Sequence, residues 1–277
     1  IPGCVPVKGD FLYAGETEVT NAHWLDFVNH KRKKFGEEVY SRLLPDSAGW
    51  RSKTAFNEAY VEYYFRHPAY RTYPVVNVSR EQVNEYCSWL EEILNTHYDT
   101  AEWEPTAKVK VRLPNEDEWK LAAKAGNSDA TFPWKGTSMR SSDKNSEGQF
   151  MANFVRGKGD FMGIAGSLND MADITAPVDS YWPNDYGLYN MAGNVAEMLH
   201  EQGRTKGGSW RSRAPYLEID GADPYHGFTG GSPEIGFRIF VEVLDRRESK
   251  AERKSRKKLE RKFKFNAKLI ENWLAPV

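Results

Sequence analysis

Asp220, Asp223 and His226 lie close together in Ala214-Pro-Tyr-Leu-Glu-Ile-Asp-Gly-Ala-Asp-Pro-Tyr-His226. Two carboxylates and an imidazole at such spacing can ligate a metal or exchange protons near neutral pH. The same Asp, Gly and Pro content also describes ordinary turns carrying a surface histidine, and the residues alone leave both readings open. Other chemistry-bearing groups are sparse. Cys4 and Cys87 are the two cysteines, too few for a disulfide scaffold or a four-cysteine zinc site. Cys87 shares a helical stripe with Val83, Tyr86 and Leu90, where a cysteine behaves as a small inert hydrophobe. His200-Glu201 lacks the second histidine of a zinc-protease motif.

The elements that must position these groups can be read in order. Ile1 to Gly15 is strand-like. A helix follows, capped by Thr20 or Asn21, with Trp24, Phe27 and Val28 on its apolar face. Residues 36–73 are tyrosine-rich and irregular. Ser79 and Gln82 form a capping box ahead of the Val83–Leu90 stripe. Lys108 to Leu113 alternates as a strand, and the next helix carries Trp119, Leu121, Ala122 and Ala123 and ends at Gly126. From Phe132 to Tyr186 the chain is rich in Gly, Ser, Asp and Asn, and bound ions are one way to order so long a loop region. Strand-like pieces at Thr205–Trp210 and Gly236–Val243 close the body.

With 277 residues, 40% of them hydrophobic, the chain can bury a sizeable core. A mean hydropathy of −0.69 is that of a soluble protein. No apolar run reaches the roughly 18 residues that cross a bilayer as a helix, and no charged-then-apolar leader is evident. The net charge of −1 conceals a separation. Asp245 to Lys264 holds eleven Lys and Arg against four Asp and Glu, a net +7, and residues 265–277 balance, so residues 1–244 carry −8. The division expected is a body over residues 1–244 and a basic helical tail over 245–277. Leu259, Phe263, Ala267, Ile270 and Leu274 fall on one face of that tail. It is either a helix docked on its own body or a contact for an anionic partner. Nucleic acid is not expected: the tail has no groove-reading motif and the acidic body repels phosphates.

Several segments together resemble the formylglycine-generating-enzyme (sulfatase-modifying factor) domain family. They are Glu16-Thr-Glu-Val-Thr-Asn21, Tyr73-Pro-Val-Val-Asn-Val-Ser79, Val111-Arg-Leu-Pro-Asn-Glu-Asp-Glu-Trp119, Ala176-Pro-Val178, Asn184 to Glu197, Lys206-Gly-Gly-Ser-Trp210 and Gly236-Phe-Arg238. The resemblance implies an α+β, C-type-lectin-like fold with little regular secondary structure. Active members oxidise a client cysteine to formylglycine, using copper held by two cysteines just after the Gly-Gly-Ser segment. Aligned on Gly207-Gly208-Ser209, those positions are Ser212 and Leu217 here. Soft thiolates select Cu(I); a hydroxyl is a poor substitute and an alkyl group none. The expectation is a protein without copper and without oxidase activity. The resemblance also implies structural Ca²⁺. One site would use the side chains of Asn190 and Glu197 with the carbonyls of Gly193 and Val195. A second would use Asn153 and Asp170 side chains with the carbonyls of Phe154 and Ala172, at a spacing that departs from the family's.

The stretch from Glu62 to Cys87 resembles a narrower branch, the non-catalytic gliding-motility and type IX secretion lipoproteins of Bacteroidota, of the GldJ and GldK kind. That implies a structural scaffold facing the periplasm at the outer membrane, with other cell-envelope proteins as partners. Ile1-Pro-Gly-Cys4 is similar to the end of a lipobox, which implies lipidation of Cys4. The alternative is a binding module whose lectin-like groove, near Trp210, Tyr216 and His226, takes a glycan or a peptide. An enzyme of changed chemistry built on Asp220, Asp223 and His226 is a third reading.

Overall fold

The computed structural model describes residues 3–52, 56–100, 107–155 and 174–246, together with Lys254 and Lys258. The opening segment is a hairpin of β1 (Cys4–Lys8) and β2 (Leu12–Gly15), with a register shift between Pro6 and Lys8. Helix α1 (Asn21–Phe35) starts where the Thr20 hydroxyl accepts from the His23 N–H at 3.1 Å; His23 Nδ1 accepts from the Thr20 N–H in return. This reciprocal cap satisfies donors that a helix start otherwise leaves open.

The segment expected to be irregular contains two short helices, α2 (Glu37–Leu43) and α3 (Glu58–Tyr63). Gly36, at φ +88°, makes the turn between α1 and α2 that an L side chain would strain. Helix α4 (Arg80–Thr100) begins at the expected Ser79–Gln82 box. Strand β3 (Ala107–Arg112) follows, then α5 (Glu116–Lys124), capped reciprocally by Asn115 and Glu118. Trp119, Ala122 and Ala123 of α5 are buried, but Leu121, expected on the same face, is 38% exposed. It sits on the flank of the stripe and the sheet does not cover it.

The remaining strands are short: β4 (Ala196–Met198), β5 (Thr205–Lys206), β6 (Ile235–Gly236) and β7 (Phe240–Arg246). The expected Thr205–Trp210 strand thus stops at Lys206, because Gly207 and Gly208 both turn at positive φ. The expected Gly236–Val243 strand divides in two. Strand β7 also runs to Arg246, its last residues opposite Ala107 and Lys108, so the folded body extends two residues past the expected boundary. The tail stripe from Leu259 to Leu274 lies outside the described residues.

One antiparallel sheet has the order β1-β2-β7-β3; the other has the order β5-β4-β6, with β4 and β6 parallel. Alternation along β7 divides the core. Val241 faces a cluster with Trp24, Phe27, Tyr86 and Phe237, and Phe240 faces another with Leu12, Ala14 and Trp119. In the first cluster α1 locks to α4: Trp24 stacks on Tyr86 at 5.5 Å and 11°, and Phe237 meets both rings edge-on. Among the described residues, no helix is long and apolar enough to cross a membrane. The resulting α+β architecture is the fold class expected from sequence.

Candidate functional site

The loop from Asn190 to Glu197 runs through the middle of the body, and every residue of it is buried. Asn190, Gly193 and Asn194 take positive φ, at 50°, 77° and 60°. Asparagine tolerates that region because its side chain can bond locally. Asn194 goes further: its Oδ1 accepts from the Ala176 N–H at 2.7 Å, and its Nδ2 donates to the Ala176 carbonyl and to Glu18. It therefore pairs with another backbone segment as a strand would. Its own N–H donates to the Asn153 carbonyl at 2.8 Å. At Gly193 a Cβ would meet that same carbonyl at 2.4 Å, so the two loops touch where only glycine fits.

Two asparagines in these loops have buried Oδ1 atoms without a hydrogen-bond partner, Asn190 and Asn153. Both employ their Nδ2 groups: Asn190 donates to the Val178 carbonyl and Glu18, and Asn153 to the Ile174 carbonyl. A buried oxygen left open is costly, and an oxygen-seeking cation would satisfy it. These are the two side-chain amides expected at the Ca²⁺ sites, and their chemistry fits such an ion. Phe154 is buried beside Asn153. Asp170 and Ala172, the other half of the second expected site, lie outside the described residues.

Glu197 has a role that its place in the loop does not reveal. Its carboxylate accepts from Arg238 Nε at 3.0 Å and Nη2 at 2.7 Å, and from the Trp119 indole at 2.7 Å, so only its remaining lone pairs could face a cation. Arg238 is fully buried and also donates to the Gly15 carbonyl at 2.7 Å and the Tyr189 carbonyl at 2.6 Å. One guanidinium thus ties β2, the loop entry and β4 together. Glu18 is fully buried close by, and burial, aided by the charge of Glu197 and opposed by Arg238, pushes its carboxyl up to about 8. Near neutral pH the Glu18 carboxyl is therefore mostly protonated, and the Glu197 carboxylate and the Arg238 guanidinium balance. Sequence reasoning singled out neither Glu18 nor Arg238 as a site residue, although both lie in the quoted family segments.

Ser212 and Leu217, the positions expected to correspond to the copper-binding cysteines, are both buried in packing. The Ser212 hydroxyl accepts from the Ser209 N–H at 3.0 Å, and the Ser209 hydroxyl pairs with the Tyr225 hydroxyl at 2.5 Å. Leu217 is fully buried among Phe132, Phe150, Phe154 and Ala192. A hydroxyl network on one side and hydrocarbon on the other do not suit Cu(I). Neither cysteine reaches this region: Cys4 and Cys87 both pack against the α1–α4 cluster. Cys4 is a β1 residue whose thiol burial pushes up to about 11, and a lipid on that sulfur would have to displace this packing.

The expected Asp220–Asp223–His226 cluster does not form. Asp220 pairs with Lys120 at 2.9 Å and Lys124 at 3.2 Å, which hold its carboxyl below the usual range. Asp223 accepts from the Thr205 N–H and hydroxyl and from the Tyr225 N–H, and so acts as a brace for its own turn. His226 is exposed. The two carboxylates were drawn away by partners distant in sequence or by local backbone donors. Trp210 lies over Trp50, its ring centroid 6.4 Å away, and its indole donates to the Pro233 carbonyl; Tyr216 is 39% exposed. No group of three or more His, Cys, Asp or Glu side chains able to hold a metal occurs among the described residues.

Known proteins are similar to this chain. The chain is 29% identical over 214 residues to the mouse formylglycine-generating enzyme, covering 69% of this chain and 49% of that protein. It is 28% identical over 204 residues to the bovine inactive Cα-formylglycine-generating enzyme 2, covering 66% and 58%. The chain therefore spans about half the length of the curated relatives it matches, which include active and inactive proteins. Solved structures of PvdO from Pseudomonas aeruginosa and of Treponema denticola variable protein 1 superpose with TM-scores of 0.51 and 0.50, each at 20% identity. They cover 84% and 83% of this chain, and 80% and 84% of their own, and show the same fold. The model of the sulfatase-modifying factor enzyme 1-like domain matches residues 7–243, and the chain belongs to that family.

Proposed function

We propose that this domain is catalytically inactive as a cysteine oxidase and serves as a structural, interaction-making component of a bacterial cell-envelope assembly. One observation carries the first half: the positions that would hold copper are Ser212, bonded to Ser209, and Leu217, sealed in an aromatic cluster. A family with members named as inactive accommodates such a chain. The second half rests on the resemblance of residues 62–87 to the gliding-motility and type IX secretion branch. It rests also on the charge separation, an acidic body bearing a basic tail suited to an anionic partner. Ca²⁺ at Asn190, Gly193, Val195 and Glu197 is structural in this reading. It pins a loop that lacks a ladder of backbone hydrogen bonds, and Asn153 contributes to a second site.

Affinity capture from native envelope tests the proposal, performed in millimolar Ca²⁺ with the full chain and with a chain ending at Arg246, which keeps β7 whole. Envelope proteins retained in fixed proportion, some of them lost with the tail, are the expected result. A full chain that retains none would overturn the scaffold role.

A further inference from the structure

We propose that the cleft between the Phe132–Trp134 loop and Trp182 binds a neutral oligosaccharide. The cleft has a volume of about 480 Å³ and shares no lining residue with the Trp210–His226 segment. Its size is that of a site for a small ligand. Two aromatic platforms define it. On one side the Phe132 and Trp134 rings stack at 4.9 Å and 4°. The Trp134 indole donates to the Ser138 carbonyl at 2.8 Å, so that ring is fixed before any ligand arrives. On the other side Trp182 is 42% exposed, between the buried Tyr181 and the exposed Pro183. A large ring left open to water at the lip of a cleft is a contact surface available at low entropic cost.

The rest of the lining is mixed: Thr137, Ser138 and Ser142 supply hydroxyls and Asn127 an amide, beside apolar Ala130 and Met151. The charges at the rim nearly balance, Lys124, Lys135 and Arg140 against Asp143 and Asp185; Lys124 pairs with Asp220, Lys135 with Asp185 at 3.6 Å, and Arg140 lies over the Phe150 ring at 3.7 Å. An anionic ligand would meet Asp143 and Asp185 as well as the cations, and a purely apolar one would strip the hydroxyls of water without replacing their bonds. A pyranose chain meets both demands: its C–H faces stack on rings while its hydroxyls exchange hydrogen bonds with the floor. No described strand borders the cleft, only the isolated Arg140–Phe150 bridge, so an extended peptide has no edge to join. This inference stands apart from the scaffold reading, and either can fail without the other.

The test is calorimetry and saturation-transfer NMR on the full chain. The probes are hexamers of β-1,4-N-acetylglucosamine, β-1,4-glucose and α-mannose, with a heparin hexasaccharide as the anionic comparison. Saturable binding of at least one neutral hexamer is expected. Trp182→Ala should weaken it by about tenfold, the scale of one lost aromatic contact. Trp182→Phe should retain most of the affinity, and both variants should unfold at the wild-type midpoint. The proposal is overturned if no neutral hexamer saturates, if Trp182→Ala binds as tightly as wild type, or if heparin binds more tightly than every neutral hexamer.

Discussion

Replacing Arg238 by methionine keeps the length of an apolar side chain and removes every charge-assisted bond the guanidinium makes. The consequences follow from its three partners, Glu197 and the carbonyls of Gly15 and Tyr189. Glu197 would stay buried, still accepting from the Trp119 indole, with no counter-charge. Removing one member of a buried pair costs about 3–5 kcal/mol, because the remaining charge is stranded in a low dielectric. The carbonyls of Gly15 and Tyr189 would also lose a donor, at about 1–3 kcal/mol each if no water replaces it. These terms overlap, so a total loss of about 5 kcal/mol is expected, comparable with the whole stability of a marginal domain. The assay is urea unfolding at pH 7, followed by tryptophan fluorescence. Where Arg238→Met alone does not fold, the pair Arg238→Met with Glu197→Gln restores the fold, since the amide oxygen keeps the indole bond and the stranded charge is gone. A single variant that loses less than about 1 kcal/mol, or a double variant no better than the single, would refute this reasoning.

Other consequences are equally open to measurement. Gly193→Ala should lose at least about 2 kcal/mol in the same unfolding assay, since its Cβ meets the Asn153 carbonyl at 2.4 Å from a strained φ of +77°. Moving the wild type from chelator to millimolar Ca²⁺ should raise its thermal midpoint, because an ion that binds only the folded state stabilises it; Asn190→Ala should lose most of that rise. Cys4 should alkylate roughly a hundredfold more slowly than a free thiol at pH 8, because its thiolate is correspondingly rarer. Its rate should climb with pH until about 11, as mass-resolved alkylation would show; a rate flat above pH 9 would place Cys4 in solvent.

Local chemistry made much of the fold legible. Ser79 with Gln82 signals its helix because the cap is complete within four residues. Alternation in Lys108–Leu113 marks β3 because one face of the sheet is fully covered there. Helix α2 escaped notice: only Leu43 of its residues is buried, so it carries no apolar stripe to read. The site was legible only where the family pattern names its residues. Asn190 and Asn153 could be named from the family pattern, but the partnership of Arg238 with Glu197 spans 41 residues and that of Trp119 with Glu197 spans 78. The Asp220–Asp223–His226 cluster failed for the same reason. Spacing along the chain cannot show that Lys120 and Lys124 of α5 claim Asp220.

Copper binding offers the most direct test of the proposed inactivity. Cu(I) would be offered under reducing, anaerobic conditions in competition with a colorimetric chelator to three proteins: wild type, a Cys4→Ser/Cys87→Ser variant, and Ser212→Cys/Leu217→Cys. Wild type and the cysteine-free variant should leave the metal with the chelator, whereas the variant with cysteines at both family positions should withdraw one equivalent. Stoichiometric Cu(I) capture by the cysteine-free variant would contradict the proposed inactivity, since it would mean that this fold holds the metal without the thiolates.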